Sequence, residues 1–194
     1  SGPMAIQYRE TTLENGLRII AEVDPTAHSA AMGFFVKTGA RDEDTRLMGV
    51  SHFLEHMMFK GTDKFGKGAI DQQTSKMGGS NNAFTDTDST AYYFSLAADR
   101  WETALEIEAS RMSDCLLDPA EFESEKSVVL EELAMGEDEP WRPLYQAVEG
   151  LMFQTHQYHH PVIGYREELE RLTANLGSWR DGGVLFKSFR ATVP

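Results

Sequence analysis

Two histidines with a glutamate between them, in the order His52-Phe53-Leu54-Glu55-His56, constrain this chain more than any other segment. The three polar side chains share one face if the segment is helical, because residues three and four apart are neighbours on a helix. On that face two imidazoles one turn apart can each give a ring nitrogen to one tetrahedral Zn²⁺, and the carboxylate beside them stays free to act on water as a general base. The flanks fit a short helix: Leu47, Val50, Phe53, Leu54 and Met57 supply an apolar face, and Gly61 supplies a stop.

A zinc site of this kind needs a third protein ligand and keeps its fourth position open. The segment Leu117-Asp118-Pro119-Ala120-Glu121 reads as a helix start, with Asp118 as N-cap, Pro119 at the first helical position and Glu121 three residues after the cap. The helix is expected to run to about Gly136. Glu125 and Glu132 lie two turns apart on one of its faces, while Val129 and Leu133 can face a core. Glu132 is the best candidate for the third ligand; its neighbour Glu131 lies off the Glu125 line by roughly a quarter turn.

With these residues in place the chain resembles the pitrilysin or insulinase group of zinc peptidases, which includes insulin-degrading enzyme, mitochondrial processing peptidase and bacterial relatives. The His-x-x-Glu-His order is the inverzincin pattern. The resemblance covers about residues 8 to 173. It implies His52, His56 and Glu132 as the ligands of one Zn²⁺, Glu55 as the catalytic base, and Glu125 as an acidic residue that supports the site from outside the ligand set. Gly78-Gly79-Ser80-Asn81-Asn82-Ala83-Phe84-Thr85 is similar to the family's substrate-strand segment, and Pro161-Val162-Ile163-Gly164 to a later loop. By that likeness Asn82, Ala83 and Phe84 bind an extended peptide as an added strand, with Phe84 shaping a side-chain pocket. The family pairs two homologous domains or subunits around a chamber. A second domain, a partner subunit or a homo-oligomer is therefore expected, and this chain alone is expected to be a weak peptidase or an inactive one. The competing reading is a non-catalytic or regulatory peptide-binding subunit, but such members typically lack the zinc residues, all of which are present here.

With 194 residues the chain is long enough to bury one core, and nothing in it repeats. Its 18 basic and 31 acidic residues give a net charge of −13, a field that opposes nucleic acid and anionic membrane and favours basic peptide segments. Cys115 is the single cysteine, which excludes an internal disulfide and makes a cytoplasmic setting the simplest expectation, with a mitochondrial matrix or periplasm also compatible. No apolar run approaches transmembrane length. Residues 1–4, Ser-Gly-Pro-Met, read as a tag scar and initiator Met, residues 5–173 as a zinc peptidase N-terminal domain, and residues 174–194 as a tail that leaves the family pattern, like a strand cut short.

The pattern along the chain predicts an α+β fold, a mostly antiparallel sheet with helices packed on one face, forming one pitrilysin-type domain incomplete at its C-terminal end. Asn15-Gly16 signals a two-residue hairpin within residues 8 to 23, and Ser29 to Thr38 a further strand. A helix is expected over Ala69 to Lys76, then antiparallel strands over Asn82 to Thr85 and Thr90 to Leu96. Asp99 and Glu102 suggest a capping box for a helix to Leu116 with Trp101, Leu105, Met112 and Leu116 inward. Pro143 to Phe153 and Arg166 to Leu172 are expected to be helical.

Other features carry less. Gly61 to Gly68 nearly matches a phosphate-binding loop but has glycine where a Mg²⁺-binding hydroxyl is needed, and it follows a helix instead of a strand. His156, His159 and His160 lack helical spacing with a base and read as solvated or loop-packing side chains. Cys115 reads as a small buried hydrophobe, and Glu167, Glu168 and Glu170 as a solvated helix face.

Overall fold

The computed structural model describes residues 5–172, so residues 1–4 and 173–194, the expected tail among them, lie outside the described residues. Its centre is a three-stranded antiparallel sheet in the order β3-β5-β4, built from β3 (Ser29–Val36), β4 (Ser80–Thr85) and β5 (Thr90–Ala97). Strand alternation explains its two faces. Tyr92, Phe94 and Leu96 of β5 are buried on one side under the helices. On the other side Ala91 is covered by an edge-to-face pair of Phe35 and Phe84, whose outer surfaces stay exposed.

The helices α1 (Val50–Met57), α2 (Ala69–Lys76), α3 (Trp101–Asp114), α4 (Pro119–Glu137), α5 (Trp141–Met152) and α6 (Arg166–Arg171) follow the chain order. α1 lies between the sheet and α4. Its Val50, Phe53, Leu54 and Met57 are buried, and Phe53 packs on Phe122 of α4 with ring centroids 4.6 Å apart. Burying each such side chain contributes ~1.5–3 kcal/mol. α4 begins as the sequence predicts: Asp118 accepts hydrogen bonds from the Ala120 and Glu121 amides at 2.9 and 3.0 Å, and Pro119 opens the helix. Val129 and Leu133 face the core. A second apolar cluster joins Ile70 and Met77 to Phe94, Leu96, Ala104 and Ile107, seating α2 and α3 on the sheet. Among the described residues no helix is long and apolar enough to cross a membrane.

Three local expectations need correction. β1 (Gln7–Thr12) and β2 (Arg18–Val23) pair as a separate two-stranded sheet, exposed along almost its whole length. Their connection is longer than a two-residue turn: the Leu13 amide bonds to the Leu17 carbonyl, and Gly16 takes φ 88°, the left-handed residue a three-residue hairpin loop requires. The Asp99 capping box does not form. A 3₁₀ turn over Ala98–Arg100 precedes α3, and Arg100 at the N-cap makes no side-chain bond.

The inward stripe of α3 also differs from the expected one. Met112 is buried as expected and Leu116 is half-buried, but Trp101 and Leu105 are exposed, and Ala104, Ile107, Glu108 and Arg111 are buried at helical spacing. Arg111 and Glu108 are fully buried, with Nη1 3.4 Å from Oε1, and the guanidinium lies 4.7 and 5.1 Å from the ring centroids of Phe59 and Tyr92. An apolar stripe rule assigns charged residues to solvent; here the ion contact and the aromatic faces offset part of the cost of burial, although neither charged group makes a hydrogen bond among the described residues. α3 stops at Asp114, because Cys115 leaves the helix to form a bridge with Thr62.

Candidate metal centre

The helix α1 brings His52 and His56 together, and α4 adds Glu132 from the opposite side. His52 Nε2 is 3.2 Å from His56 Nε2; Glu132 Oε2 is 3.6 Å from the first nitrogen and 3.4 Å from the second. Ligands about 2.0–2.1 Å from a tetrahedral Zn²⁺ stand ~3.3 Å apart. The triangle therefore has the size of one face of a zinc coordination tetrahedron, and its donor set of two imidazoles and a carboxylate suits that ion. Glu131, the neighbour on α4, is exposed and points elsewhere.

Burial lowers the His52 pKa to about 4, with Glu132 opposing the shift and His56 adding to it. Its ring is thus neutral near pH 7, the form that ligates a metal. Burial also pulls on His56, but hydrogen bonds to Glu132 and Glu125 outweigh it and raise its pKa. The hydrogen bond from His56 holds Glu132 below the ordinary carboxylate range.

A second layer of contacts orients these groups. His56 Nδ1 lies 2.8 Å from Glu125 Oε1, so Glu125 fixes the ring and leaves Nε2 for the cluster. Lys60 Nζ stands 2.5 Å from the other Glu125 oxygen. Burial alone would raise Glu125, but Lys60 and His56 bring its pKa down. On α1, Glu55 is buried and its pKa is raised by that burial; its Oε2 accepts a hydrogen bond from Thr85 Oγ1 at 2.6 Å. Lys60 and Thr85 are functional neighbours that the sequence does not single out. Thr85 closes the quoted Asn82 to Thr85 segment, and period-two alternation is the signal that aims it at α1. Lys60 has no such signal, because its partner is distant in the chain.

The same alternation divides the expected substrate residues. Ala83 lies on the helix-facing side with Thr85, packed against the core, whereas Asn82 and Phe84 lie on the far side with their side chains exposed. The outer edge of β4 carries no paired strand among the described residues. A cavity of about 440 Å³ opens beside the cluster, lined by His52, Thr85 and Glu132, by Trp141 and Arg142 of α5, and by the loop at Pro161 to Ile163. Of the loop histidines, His156 is exposed, His159 is half-buried and His160 is buried.

A model of the insulinase family, peptidase family M16, matches residues 18–166. The chain belongs to this family. Over 158 residues it is 36% identical to the uncharacterized zinc protease YmxG of Bacillus subtilis, a match covering 81% of this chain and 39% of that protein. It is 29% identical over 169 residues to a probable mitochondrial-processing peptidase subunit beta of Arabidopsis thaliana, covering 87% of this chain and 32% of the plant protein. A crystal structure of a protease from Helicobacter pylori superimposes with a TM-score of 0.78 at 29% identity, covering 87% of this chain and 41% of that one. The M16 fold of the chain thus corresponds to roughly two fifths of these bacterial relatives' length, as the 39% and 41% coverages show.

Proposed function

We propose that this M16 chain carries the catalytic half of a zinc-dependent endopeptidase that hydrolyses extended peptides. The observation that carries the reading is the 3.2, 3.4 and 3.6 Å triangle of His52, His56 and Glu132, with Glu55 on the same helix. Zn²⁺ bound by these three residues supplies Lewis acidity, making water more acidic and polarising the scissile carbonyl. Glu55 takes the proton of the attacking water and returns it to the leaving amine. Thr85 holds one Glu55 oxygen by hydrogen bonding, so the other is presented to water in a fixed direction. Glu125, backed by Lys60, keeps the His56 ring in its ligating orientation.

The free edge of β4 supports a substrate bound as an added strand along Asn82, Ala83 and Phe84, whose main chain offers the hydrogen bonds. Basic segments are the favoured substrates, given the net charge of −13. The partner is a second homologous domain or subunit. In support, α5 buries no residue among those described and exposes Trp141, Leu144, Tyr145, Leu151 and Met152, a patch that invites cover. Cytoplasmic action is part of the same proposal.

The test is metal analysis and peptide cleavage of the wild type and Glu55→Gln, each with and without the proposed second domain or subunit. One zinc per chain is expected in both. Hydrolysis should fall by roughly 10²-fold or more in Glu55→Gln, the usual contribution of a general base. Undiminished cleavage by this variant would remove Glu55 from its role, and absence of zinc from the wild type would sink the peptidase reading.

A further inference from the structure

We propose that Glu43 and His160 form a positioning pair that holds the ligand helix and the wall of the adjacent cavity in one frame; the inference rests on the reading of that site as a peptidase centre. The N-cap of α1 is Gly49, which has φ 91° and no side chain with which to cap the helix. The first amides of a helix have no partner within it. Here Glu43, six residues upstream in the sequence, supplies one: its Oε2 accepts from the Gly49 amide at 2.9 Å and its Oε1 from the Ser51 amide at 2.8 Å. Its charge also sits at the positive end of the helix dipole.

Both side chains of the pair are fully buried. A carboxylate withdrawn from water is tolerated only when hydrogen bonded and compensated, and His160 Nε2 completes the set at 2.9 Å from Oε2. Because the carboxylate accepts, His160 Nε2 donates.

His160 precedes Pro161, Val162 and Ile163, which line the cavity beside His52 and Glu132. That loop also touches the start of α1 through backbone. A Cβ on Gly49 would lie 2.4 Å from the Ile163 carbonyl oxygen, and one on Gly164 would lie 2.6 Å from the Met48 carbonyl oxygen. On its other flank, the turn preceding Glu43 bonds to the β4–β5 connection, from the Ala40 amide to Asp86 O at 3.1 Å and from the Arg41 amide to Thr87 O at 2.9 Å. β4 ends at Thr85, which holds Glu55. Glu43 therefore stands where the ligand helix, the cavity wall and the strand that carries the base's partner meet. Neither residue is a ligand; the pair acts through the helix and the loop.

The experiment compares the full chain with Glu43→Gln, His160→Leu and His160→Gln. Gln at 160 can still donate an N–H to Glu43, and Leu cannot. Two readouts are used: amide hydrogen exchange at Gly49 and Ser51, and the visible absorption spectrum of the Co²⁺-substituted protein. Glu43→Gln and His160→Leu should speed exchange at both amides by on the order of 10-fold and alter the Co²⁺ spectrum, as expected for a lost buried hydrogen bond. His160→Gln should restore most of both. Unchanged exchange and spectra in His160→Leu would overturn the proposal, and so would His160→Gln behaving as badly as His160→Leu, since the donated bond would then be irrelevant. If Glu43→Gln fails to fold, the two His160 variants decide. A wild type that binds neither zinc nor cobalt would sink the peptidase reading, while exchange at Gly49 and Ser51 would still score the pair.

Discussion

Lys60 Nζ stands 2.5 Å from Glu125 Oε2, and through that carboxylate its charge is felt at His56. An ammonium here helps keep Glu125 ionised, and Glu125 in turn fixes the ring whose other nitrogen faces His52 and Glu132. Glu125→Gln should therefore weaken zinc binding by roughly 10- to 100-fold, the usual effect of losing such a partner. Lys60→Met should weaken it less, because it acts one contact further out. Competition with a chelating dye measures both; a Glu125→Gln variant with wild-type affinity would show that the carboxylate does not tune the site.

Replacing His52, His56 or Glu132 by Ala should each abolish stoichiometric zinc, since each substitution removes one of the three proposed ligands. Glu131→Ala should retain it, because that side chain is exposed on another face of α4. Elemental analysis of purified proteins decides the matter. Full occupancy in Glu132→Ala would reassign the third ligand.

Burial pushes the Glu108 carboxyl from 4.5 up to about 7, with Arg111 opposing the shift. Between those two values the folded state binds more protons than the unfolded one, so this group's contribution to stability falls as pH rises through the window. Glu108→Gln cannot titrate, and its melting temperature should lack that decline. Subtracting its curve from that of the wild type between about pH 4.5 and 7 should give a falling difference. Parallel curves would mean that Glu108 is ionised throughout the range.

The net charge of −13 should draw Arg-rich and Lys-rich peptides to the chain. Cleavage of such peptides, assayed with the proposed second domain or subunit present, should slow as salt rises from about 0.01 to 0.15 M, where the screening length falls from roughly 30 to 8 Å. Neutral peptides of equal length should show little change. Equal salt response for acidic, neutral and basic peptides would remove electrostatics from substrate choice.

The local chemistry of the site was legible in sequence order alone. His52, Glu55 and His56 are set on one face by helical spacing, and Glu125 and Glu132 share a face for the same reason. Asp118-Pro119 marks the start of α4 because a cap and an N-terminal proline depend only on neighbours in the chain. Short-range rules also located α2 and the β4–β5 pair. They failed where the partner is remote. Nothing near Glu108 or Arg111 in the sequence foretells burial, which depends on aromatic rings from β5 and on Phe59. For that reason the sequence pattern of α3 places Trp101 and Leu105 inward but not Glu108 and Arg111, and only Met112 of the expected stripe is fully in the core.

What the sequence determined by itself is which residues can ligate, act as a base and cap, since those properties belong to side-chain type and helical period. Tertiary structure decided what stands beside them. Lys60 next to Glu125, Thr85 on Glu55 and His160 against Glu43 are contacts between elements separated by tens of residues. They arise only when burial of Phe53, Phe122 and the β5 side chains fixes α1 between the sheet and α4, because hydrophobic packing is non-directional and carries no local signature from which a particular remote partner can be read.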